Sequence, residues 1–344
     1  MKICHVIFSL EVGGTESMLV DILNEQVKTE SVLLVVINDI INEELISRIE
    51  RNVKITKLHR KPKSKNLGFI IKINALLFKE NPNIIHFHNA NGIAVLLPLW
   101  WKKSVLTIHG FGLLPPSIRR YHKIFAVSNS IKQSILNRYG LESAIIYNGI
   151  NPQIIKKKND SEKNDVFRIL QVSRLDHSIK GQHILIEAIS LLVSKYEKVN
   201  IHLYFIGCGT SLNLLLEMVR KYKLDNHITF LGGKPREYIY DYLYNCDLLV
   251  QPSLNEGFGL TIAEGMAAKI PVLVSNVKGP MEVIRNGEYG YYFQSEDVED
   301  CADKIFQIMQ ADNCLIIDKA YDYCLQNYNV SCTAKNYLKE YANI

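Results

Sequence analysis

The strongest constraint on the fold is an alternation of short apolar strands with amphipathic helices, which runs through the chain twice. In the first half, β-branched and apolar runs predict strands at 2–10, 31–38, 83–88, 104–109 and 123–128. Between them lie segments with apolar residues at helical spacing, at 15–26, 69–80 and 129–140. Because strands that are apolar on both faces need helices on both sides, the pattern predicts a covered parallel sheet.

The same alternation of strands and helices starts again near residue 167. Apolar runs predict further strands at 167–175, 201–207, 227–232, 247–253 and 271–275, with a helix at 183–196 after the first. We therefore predict an α/β chain of two doubly wound, Rossmann-like domains that face each other across a cleft. In such sheets ligands bind beyond the carboxyl ends of the strands.

A polar, charged stretch at 150–165 separates the two halves, and its lack of apolar periodicity is typical of a linker. The predicted domains are therefore an N-terminal one at 1–155 and a C-terminal one at 156–329. The last helix, about 330–344, fits either half, so that packing back on the first domain stays open.

Composition and cysteine usage restrict the class of protein. With 47% hydrophobic and 22% charged residues, the chain is neither collagen-like nor intrinsically disordered. Its seven cysteines include no CxxC pair, which disfavours a disulfide framework or a zinc ribbon and favours a reducing compartment. The segment 1–10 is interpreted as a strand and not as a signal peptide, and the apolar stretch 93–101 is too short to span a bilayer. We expect a cytoplasmic protein.

Basic charge is concentrated in the first half. Residues 1–150 contain 19 Lys and Arg against 11 Asp and Glu, whereas residues 151–344 contain 21 against 24. The densest basic run is 54–65, and Trp100, Trp101, Lys102 and Lys103 follow later in the sequence. Basic residues mixed with Trp suit an anionic membrane surface, and a solvated basic loop is the alternative. Nucleic acid is disfavoured because no recognised binding motif accompanies the charge.

The segment 251–275 carries the most informative chemistry. A strand is followed by a loop with Gly257 and Gly259, and a helix begins near Leu260. Free backbone N–H groups at such a helix start can bind an anion. Glu256 and Glu264 flank this position, and carboxylates can accept hydrogen bonds from vicinal hydroxyls, which would suit a sugar at each end of a diphosphate. An acidic residue that only stabilises the helix dipole remains the alternative.

The motif EGFGLTIAE (256–264) closely resembles the Glu, seven residues, Glu signature of the family-4 retaining glycosyltransferases, which have the GT-B fold. Other landmarks of that family occur in the same order: GGTE (13–16), TIHG (107–110), YNGI (147–150), SRLDHSIKG (173–181), IGCG (206–209) and GPMEVIRNGEYGYYF (279–293). The resemblance covers nearly the whole chain, and the ordered set is more specific than any single member.

The resemblance implies a role for each matching residue. Catalytic roles fall to Arg174, Lys180, Glu256 and His109. Donor binding is implied for Gly14, Gly207, Gly257, Phe258, Gly259, Leu260, Thr261, Glu264 and Glu282, and acceptor contact for Glu16. Arg174 and Lys180 would neutralise the diphosphate, Glu256 would hold hydroxyls of the transferred sugar, and Glu264 would hold the ribose. His86 and His88 alternate on a predicted strand, so we expect only one of them to face the site, and without a third ligand no metal is implied.

The activity implied is retaining transfer of a hexose or N-acetylhexosamine from a nucleotide-sugar, with UDP favoured, to a hydroxyl of a glycan acceptor. No further cofactor is expected. The basic first domain favours a lipid-linked acceptor in bacterial surface polysaccharide synthesis, with the enzyme peripheral on the inner face of the plasma membrane. A nucleotide-sugar epimerase of the same fold and an inactive nucleotide-sugar-binding subunit remain alternatives, and only the transferase needs an acceptor to release nucleotide.

Overall fold

The structure, a computed structural model, describes residues 1–11, 13–62, 64, 66–158, 165–196 and 199–344. The chain divides into two units: unit 1 is Met1–Ile150 with Tyr328–Ile344, and unit 2 is Asn151–Asn327. The central part of the predicted linker, 159–164, lies outside the described residues, as do Lys63 and Lys65 of the basic run.

Unit 1 contains a sheet in which neighbouring strands are parallel and lie in the order β3-β2-β1-β4-β5-β6-β7. The strands are β1 (Lys2–Ile7), β2 (Ser31–Asn38), β3 (Lys54–Arg60), β4 (Ile84–Phe87), β5 (Ser104–Ile108), β6 (Lys123–Ala126) and β7 (Ala144–Ile145). The central strands are apolar and almost entirely buried, as expected when helices cover both faces. Strand β3 was missed by the sequence reading because its alternating charges suit an exposed edge.

The helices of this first unit are α1 (Gly14–Gln26), α2 (Glu43–Ser47), α3 (Gly68–Glu80) and α4 (Asn129–Tyr139). Short 3₁₀ helices lie at Ala90–Val95, Pro98–Lys103 and Pro116–Arg120. Helix α4 has a complete set of end signals, since the Ser128 hydroxyl accepts from the Ile131 N–H and Gly140 closes it in the left-handed conformation (φ 62°).

Unit 2 contains the second sheet, again with parallel neighbours, in the order β10-β9-β8-β11-β12-β13. Its strands are β8 (Phe167–Val172), β9 (Ile201–Ile206), β10 (Ile228–Phe230), β11 (Leu248–Gln251), β12 (Val272–Ser275) and β13 (Tyr291–Phe293). Its helices are α5 (His177–Lys180), α6 (Gln182–Lys195), α7 (Leu212–Lys221), α8 (Arg236–Tyr244), α9 (Leu260–Ala267), α10 (Lys278–Val283), α11 (Val298–Gln310) and α12 (Cys314–Asn327). Further 3₁₀ turns lie at Pro152–Ile154 and Arg285–Gly287.

The last helix, α13 (Val330–Tyr341), belongs to unit 1 and contacts α1. At its start the Ile150 N–H donates to the Tyr328 carbonyl (2.8 Å), and the Ile150 carbonyl accepts from the Val330 N–H (2.7 Å). Gly149 permits this approach, because a Cβ there would lie 2.6 Å from the Val330 Cα. Tyr337 and Tyr341 of α13 are buried against the sheet.

The two parallel, helix-covered sheets confirm the predicted α/β class. In each sheet the strand order reverses beside the first strand, between β1 and β4 in unit 1 and between β8 and β11 in unit 2. Loops diverge at such a reversal and leave room for a ligand. Among the described helices, none combines the length and apolar content that a bilayer span requires.

Candidate functional site

In unit 2, the predicted catalytic residues lie on the two loops that diverge at the strand reversal. The loop after β8 carries Arg174 and leads through the short helix α5 to Lys180, and the loop after β11 carries Glu256. Strands β8 and β11 are hydrogen-bonded neighbours, so residues 76 positions apart in sequence meet at one sheet edge. This edge is where a doubly wound sheet binds ligands.

An ion pair links the two loops. The Lys180 ammonium donates to a Glu256 carboxylate oxygen, and the two side chains are 20% and 23% exposed. The backbone joins the loops as well, because the Ile179 carbonyl accepts from the N–H groups of Leu254 (2.8 Å) and Asn255 (3.2 Å). Arg174 is different: its side chain is 65% exposed and lies 3.3 Å from the Asp176 carboxylate. The site therefore holds a fixed ammonium and carboxylate beside a guanidinium open to solvent.

Two buried glutamines hold the loop after β8 from beneath. The Gln171 amide donates to the carbonyl of Lys180 (3.0 Å), and the Gln182 amide donates to that of Arg174 (2.9 Å). Both amides also donate to the Ser173 hydroxyl. Buried hydrogen bonds are costly to break, so this network fixes the backbone that carries Arg174 and Lys180.

The helix that follows the Glu256 loop begins as predicted at Leu260. Gly259 precedes it with φ 104°, a conformation that favours glycine. Gly257, Phe258 and Gly259 are buried, and Phe258 is only 1% exposed, so its ring belongs to the core. The Thr261 hydroxyl accepts from the Gln251 amide (2.8 Å), which ties the first helical turn to the end of β11.

Glu264 lies one turn inside α9 and has a buried partner. The Tyr240 hydroxyl donates to its carboxylate (2.9 Å), and the Arg236 guanidinium donates to the same hydroxyl. Tyr240 is 2% exposed, and burial holds its pKa well above the usual value, so this hydroxyl is a permanent donor. The side chain of Glu264 is thereby oriented by helix α8.

The remaining donor-side residues lie around the same edge. Gly207 follows β9 with φ 147°, and a Cβ there would lie 1.9 Å from the Ser173 carbonyl oxygen, so only glycine allows the two loops to touch. Glu282 lies in α10 and is half-buried. A Cβ on Gly279 of that helix would lie 2.2 Å from the Glu256 carbonyl oxygen, so the start of α10 packs directly on the Glu256 loop.

In unit 1, the predicted residues Gly14 and Glu16 lie in the first turn of α1, which follows the strand reversal. Gly14 is exposed, whereas Glu16 is half-buried and burial raises the pKa of its carboxyl above the usual value. The carboxylate folds back on the helix start, since a Cβ on Gly13 would lie 2.4 Å from its Oε2. Asn89, after β4, accepts from the Phe8 N–H (2.9 Å) and joins the two sides of the reversal.

His109 lies at the carboxyl end of β5 and terminates a row of imidazoles, here called the histidine row: His5, His88 and His109. His109 Nε2 lies 3.3 Å from His88 Nδ1, and His88 Nε2 lies 3.1 Å from His5 Nδ1. His5 Nε2 lies 2.7 Å from the Gln26 side-chain oxygen. Burial lowers the pKa of both His5 and His109 to about 4, and it lowers that of His88 well below the usual value. The rings are therefore neutral near pH 7.

The premise that His86 and His88 lie on opposite faces of their strand was wrong, whereas the expectation that only one of them faces the site stays a prediction. Residues two apart on a strand project to the same face, and these two rings lie 4.4 Å apart between centroids. A third imidazole, His5, also lies within reach: ligand atoms of the three rings lie within 4.8 Å of one another. Every nitrogen of the three rings has a hydrogen-bond partner, with Tyr341 and Thr107 contacting His86 (2.6 and 2.7 Å). Hydrogen bonding accounts for the cluster, and the absence of a metal stays a prediction.

Sequence reasoning missed the residues that support the site. Gln171 and Gln182 stand beneath the cations, Tyr240 contacts Glu264, and His5 with Gln26 extends the histidine row. One signal was present for two of them, because His5 and Gln171 are polar residues with apolar neighbours on both sides within their strands. Such a residue is rarely buried without a partner.

Two lysines of the basic run predicted to contact a membrane form ion pairs within unit 1. Lys54 of β3 pairs with Glu80 (2.5 Å), and Lys57 pairs with Glu43 (3.1 Å). An exposed apolar patch lies elsewhere in this unit. Its members, the side chains that are more than half exposed on and beside α3, are Leu67 (66%), Ile71 (74%), Phe78 (57%) and Leu99 (53%). Leu67, Ile71 and Phe78 share one helix face, and Lys72, Lys79 and Lys102 are exposed nearby in sequence.

Comparisons with known proteins match nearly the whole chain. Residues 12–154 match the family described as Glycosyltransferase Family 4, and residues 153–322 match Glycosyl transferases group 1. An uncharacterized glycosyltransferase of Methanocaldococcus jannaschii, MJ1178, is 28% identical over 76% of this chain and 77% of its own. The poly(ribitol-phosphate) alpha-N-acetylglucosaminyltransferase of Staphylococcus aureus is 28% identical over 55% of this chain and 37% of its own.

Among solved structures, Anabaena Alr3699/HepE in complex with UDP and glucose superposes with a TM-score of 0.82. The two chains are 19% identical and each is covered over its full length. This likeness confirms the GT-B fold that the sequence motifs predicted.

Proposed function

Because the chain belongs to the group 1 glycosyltransferases, we propose that it transfers a hexose or N-acetylhexosamine from a UDP-sugar to a hydroxyl of a glycan acceptor. The observation that carries the proposal is the juxtaposition at the strand reversal of unit 2. There a fixed Lys180–Glu256 pair stands on the two diverging loops, with Arg174 on one of them and a glycine-bounded helix start at the end of the other.

The donor diphosphate would be bound by the cations and by the helix start. Lys180 and the exposed Arg174 supply positive charge, and the first backbone N–H groups of α9, those of Leu260 and Thr261, would contact the same anion. As the sugar–phosphate bond breaks, negative charge grows on the leaving diphosphate. The buried glutamines hold the backbone that carries both cations, and Glu256 holds the Lys180 ammonium, so this ammonium would stabilise the growing charge with little reorganisation.

The two acidic residues would bind the two sugars of the donor. Glu256 stands next to the phosphate-binding lysine and would accept from hydroxyls of the transferred sugar, and Glu264, oriented by Tyr240, would accept from the ribose hydroxyls. UDP is the nucleotide we favour, because the structural neighbour from Anabaena was solved with UDP and glucose. Glu282 and Gly207 lie on the adjoining loops and would contribute to the same donor site.

We favour retention of the anomeric configuration, through departure of the diphosphate and attack of the acceptor on the same face of an oxocarbenium-like sugar. The leaving phosphate would assist deprotonation of the acceptor hydroxyl. Catalysis would then depend on positioning and charge stabilisation, for which the side chains above suffice, and no further cofactor is needed. In unit 1, His109 would contact the transferred sugar, Gly14 the phosphates through its amide, and Glu16 the acceptor.

A lipid-linked acceptor at an anionic membrane is supported by the apolar patch. Four large apolar side chains are more than half exposed on one part of unit 1, and lysines are exposed near them in sequence. Apolar side chains that enter the interface, together with basic residues, are what peripheral membrane binding requires. We therefore place the enzyme in bacterial surface polysaccharide synthesis, on the cytoplasmic face of the membrane. The staphylococcal relative, whose name gives poly(ribitol-phosphate) as the polymer it modifies, is consistent with this role.

A melting panel tests the donor site. UDP-, GDP- and ADP-sugars are added to the wild-type protein and to Arg174→Ala at equal concentrations. At about 100 times its dissociation constant the true donor should stabilise the wild type by roughly 2.7 kcal/mol, or a Tm rise of about 5–10 °C. The rise should be much smaller for Arg174→Ala. If no nucleotide-sugar raises Tm, or if the variant responds like the wild type, the proposal is wrong. Release of free UDP only when an acceptor is present would distinguish transfer from epimerisation.

A further inference from the structure

The hydrogen bonds of the histidine row determine which ring nitrogen of each histidine carries the proton, and so the donor-to-acceptor direction along the row. The side-chain oxygen of Gln26 can only accept, so the His5 Nε2 that lies 2.7 Å from it must carry a proton. A neutral imidazole has one donor and one acceptor nitrogen, so His5 Nδ1 is then bare. This bare nitrogen accepts from His88 Nε2 at 3.1 Å.

The same reasoning continues along the row to its end. Since His88 Nε2 carries the proton, His88 Nδ1 is bare and accepts from His109 Nε2 at 3.3 Å. His109 Nδ1 is then left without a proton. It is buried, and among the described residues no group hydrogen-bonds to it. A buried acceptor without a donor is uncommon in a folded protein and calls for an explanation.

We propose that Gln26, His5 and His88 are positioning residues that hold His109 in its Nε2–H tautomer, so that Nδ1 is an obligate hydrogen-bond acceptor. A bare imidazole nitrogen selects a ligand group that donates, such as a hydroxyl, and rejects a phosphate or carboxylate oxygen. The stacked rings keep the orientation as well as the tautomer, with centroids 5.4 Å apart for His5 and His88 and 5.5 Å apart for His88 and His109.

His86 lies against the row but does not set its direction. Its nitrogens contact the Tyr341 hydroxyl (2.6 Å) and the Thr107 hydroxyl (2.7 Å), and each hydroxyl can either donate or accept. His86 is nevertheless linked to Gln26, because the Tyr341 hydroxyl that it contacts also interacts with the Gln26 side chain. His202 of unit 2, whose Nε2 contacts the Thr229 hydroxyl (2.8 Å), is therefore the control histidine.

Long-range ¹H–¹⁵N NMR on protein labelled at the histidine ring nitrogens tests the direction without any ligand. The signals of His109 are assigned by their loss in His109→Asn. At neutral pH we expect a protonated Nε2 and a bare Nδ1 for His109. A proton on His109 Nδ1, or an imidazolium, would overturn the proposal.

The variant Gln26→Met tests the origin of the direction, because it keeps a similar side-chain length and removes the acceptor. We expect His109 to change from a single tautomer to a mixture, while the signals of His202 stay as in the wild type. An unchanged His109 spectrum in a folded Gln26→Met protein would show that the glutamine does not set the tautomer. The wild-type spectrum decides the direction even if this variant does not fold.

The identity of the donating group rests on the proposed function, and a second experiment addresses it. UDP-sugars in which one hydroxyl at a time is replaced by fluorine can still accept weakly but can no longer donate. At one hydroxyl position of the sugar, we expect the fluorine to lower kcat/KM of the wild type about tenfold, the effect of one lost hydrogen bond. The same replacement should leave kcat/KM of His109→Ala unchanged. If each replacement affects both proteins equally, the acceptor role of His109 is wrong. If no UDP-sugar reacts, the proposed function fails, and the tautomer measurement still decides the direction of the row.

Discussion

Replacing Lys180 by methionine tests two roles of this lysine, pairing with Glu256 and binding the donor diphosphate. In the free protein the ammonium neutralises the Glu256 carboxylate, and under the proposed function it also binds the donor diphosphate. Methionine has a similar length and no charge, so the change removes both interactions and leaves the packing of the short helix α5 largely intact.

The expected magnitudes follow from the burial of the pair. Side chains that are 20% and 23% exposed lie between a surface pair, worth about 0–1 kcal/mol, and a fully buried one, whose rupture costs about 3–5 kcal/mol. We expect the free energy of unfolding to fall by about 1–2 kcal/mol. A charge-assisted hydrogen bond to a phosphate is worth about 1.5–3 kcal/mol, so the Kd for UDP should rise roughly 10–150-fold. Loss of a contact to a developing charge should lower kcat on the order of 10²–10³-fold.

The double variant Lys180→Met/Glu256→Gln distinguishes the roles. It leaves no uncompensated carboxylate, so most of the lost stability should return, whereas UDP affinity, measured by titration calorimetry, should stay as low as in Lys180→Met. Lys195→Met is the matched control: it removes a lysine of the same unit that pairs with Asp303 (3.4 Å) at the far end of α6. Its UDP affinity should equal that of the wild type.

The reasoning is refuted if the double variant binds UDP as tightly as the wild type. Lys180 would then serve only to neutralise Glu256, and the diphosphate would have to be bound by other groups. Equal losses of affinity in Lys180→Met and Lys195→Met would also refute it, because they would indicate a general charge effect and not a local contact.

Three further perturbations test other parts of the structure. Tyr240→Phe removes the hydroxyl that orients Glu264 and should weaken UDP binding about 3–10-fold by calorimetry; unchanged affinity would mean that the contact is only structural. The pKa of His5 is about 4 in the folded protein and about 6.5 in the unfolded one, so between these values only the unfolded state binds the proton. The free energy of unfolding should therefore fall by up to about 1.4 kcal/mol per pH unit as the pH is lowered from 6.5 towards 4. A denaturation series over that range should show this loss, and His5→Asn should reduce it. Ile71→Ser/Phe78→Ser should reduce co-sedimentation with anionic liposomes at low salt with little change in Tm, since both side chains are exposed, and undiminished binding would exclude the apolar patch as the contact.

Much of the fold was predictable because its signals are local. The apolar runs and helical spacings lie within single elements, and each strand of a covered parallel sheet must be apolar on both faces. This is why β1, β8 and β11 were found from their own residues, together with the glycine loop before α9. Strand β3 was missed for the same reason, since its own residues include the charges that are typical of an exposed edge strand and form no apolar run.

The site was predictable only as separate pieces. The sequence by itself determined the parallel α/β class. Through its resemblance to a known family it also predicted Arg174, Lys180, Glu256 and His109 as site residues, because a motif names the residues near one loop. The tertiary structure alone decided that Lys180 pairs with Glu256 and that Gln26, His5 and His88 stand in line with His109. Those partners come from different strands and helices, and strand order, which brings them together, depends on packing between elements that are distant in the chain.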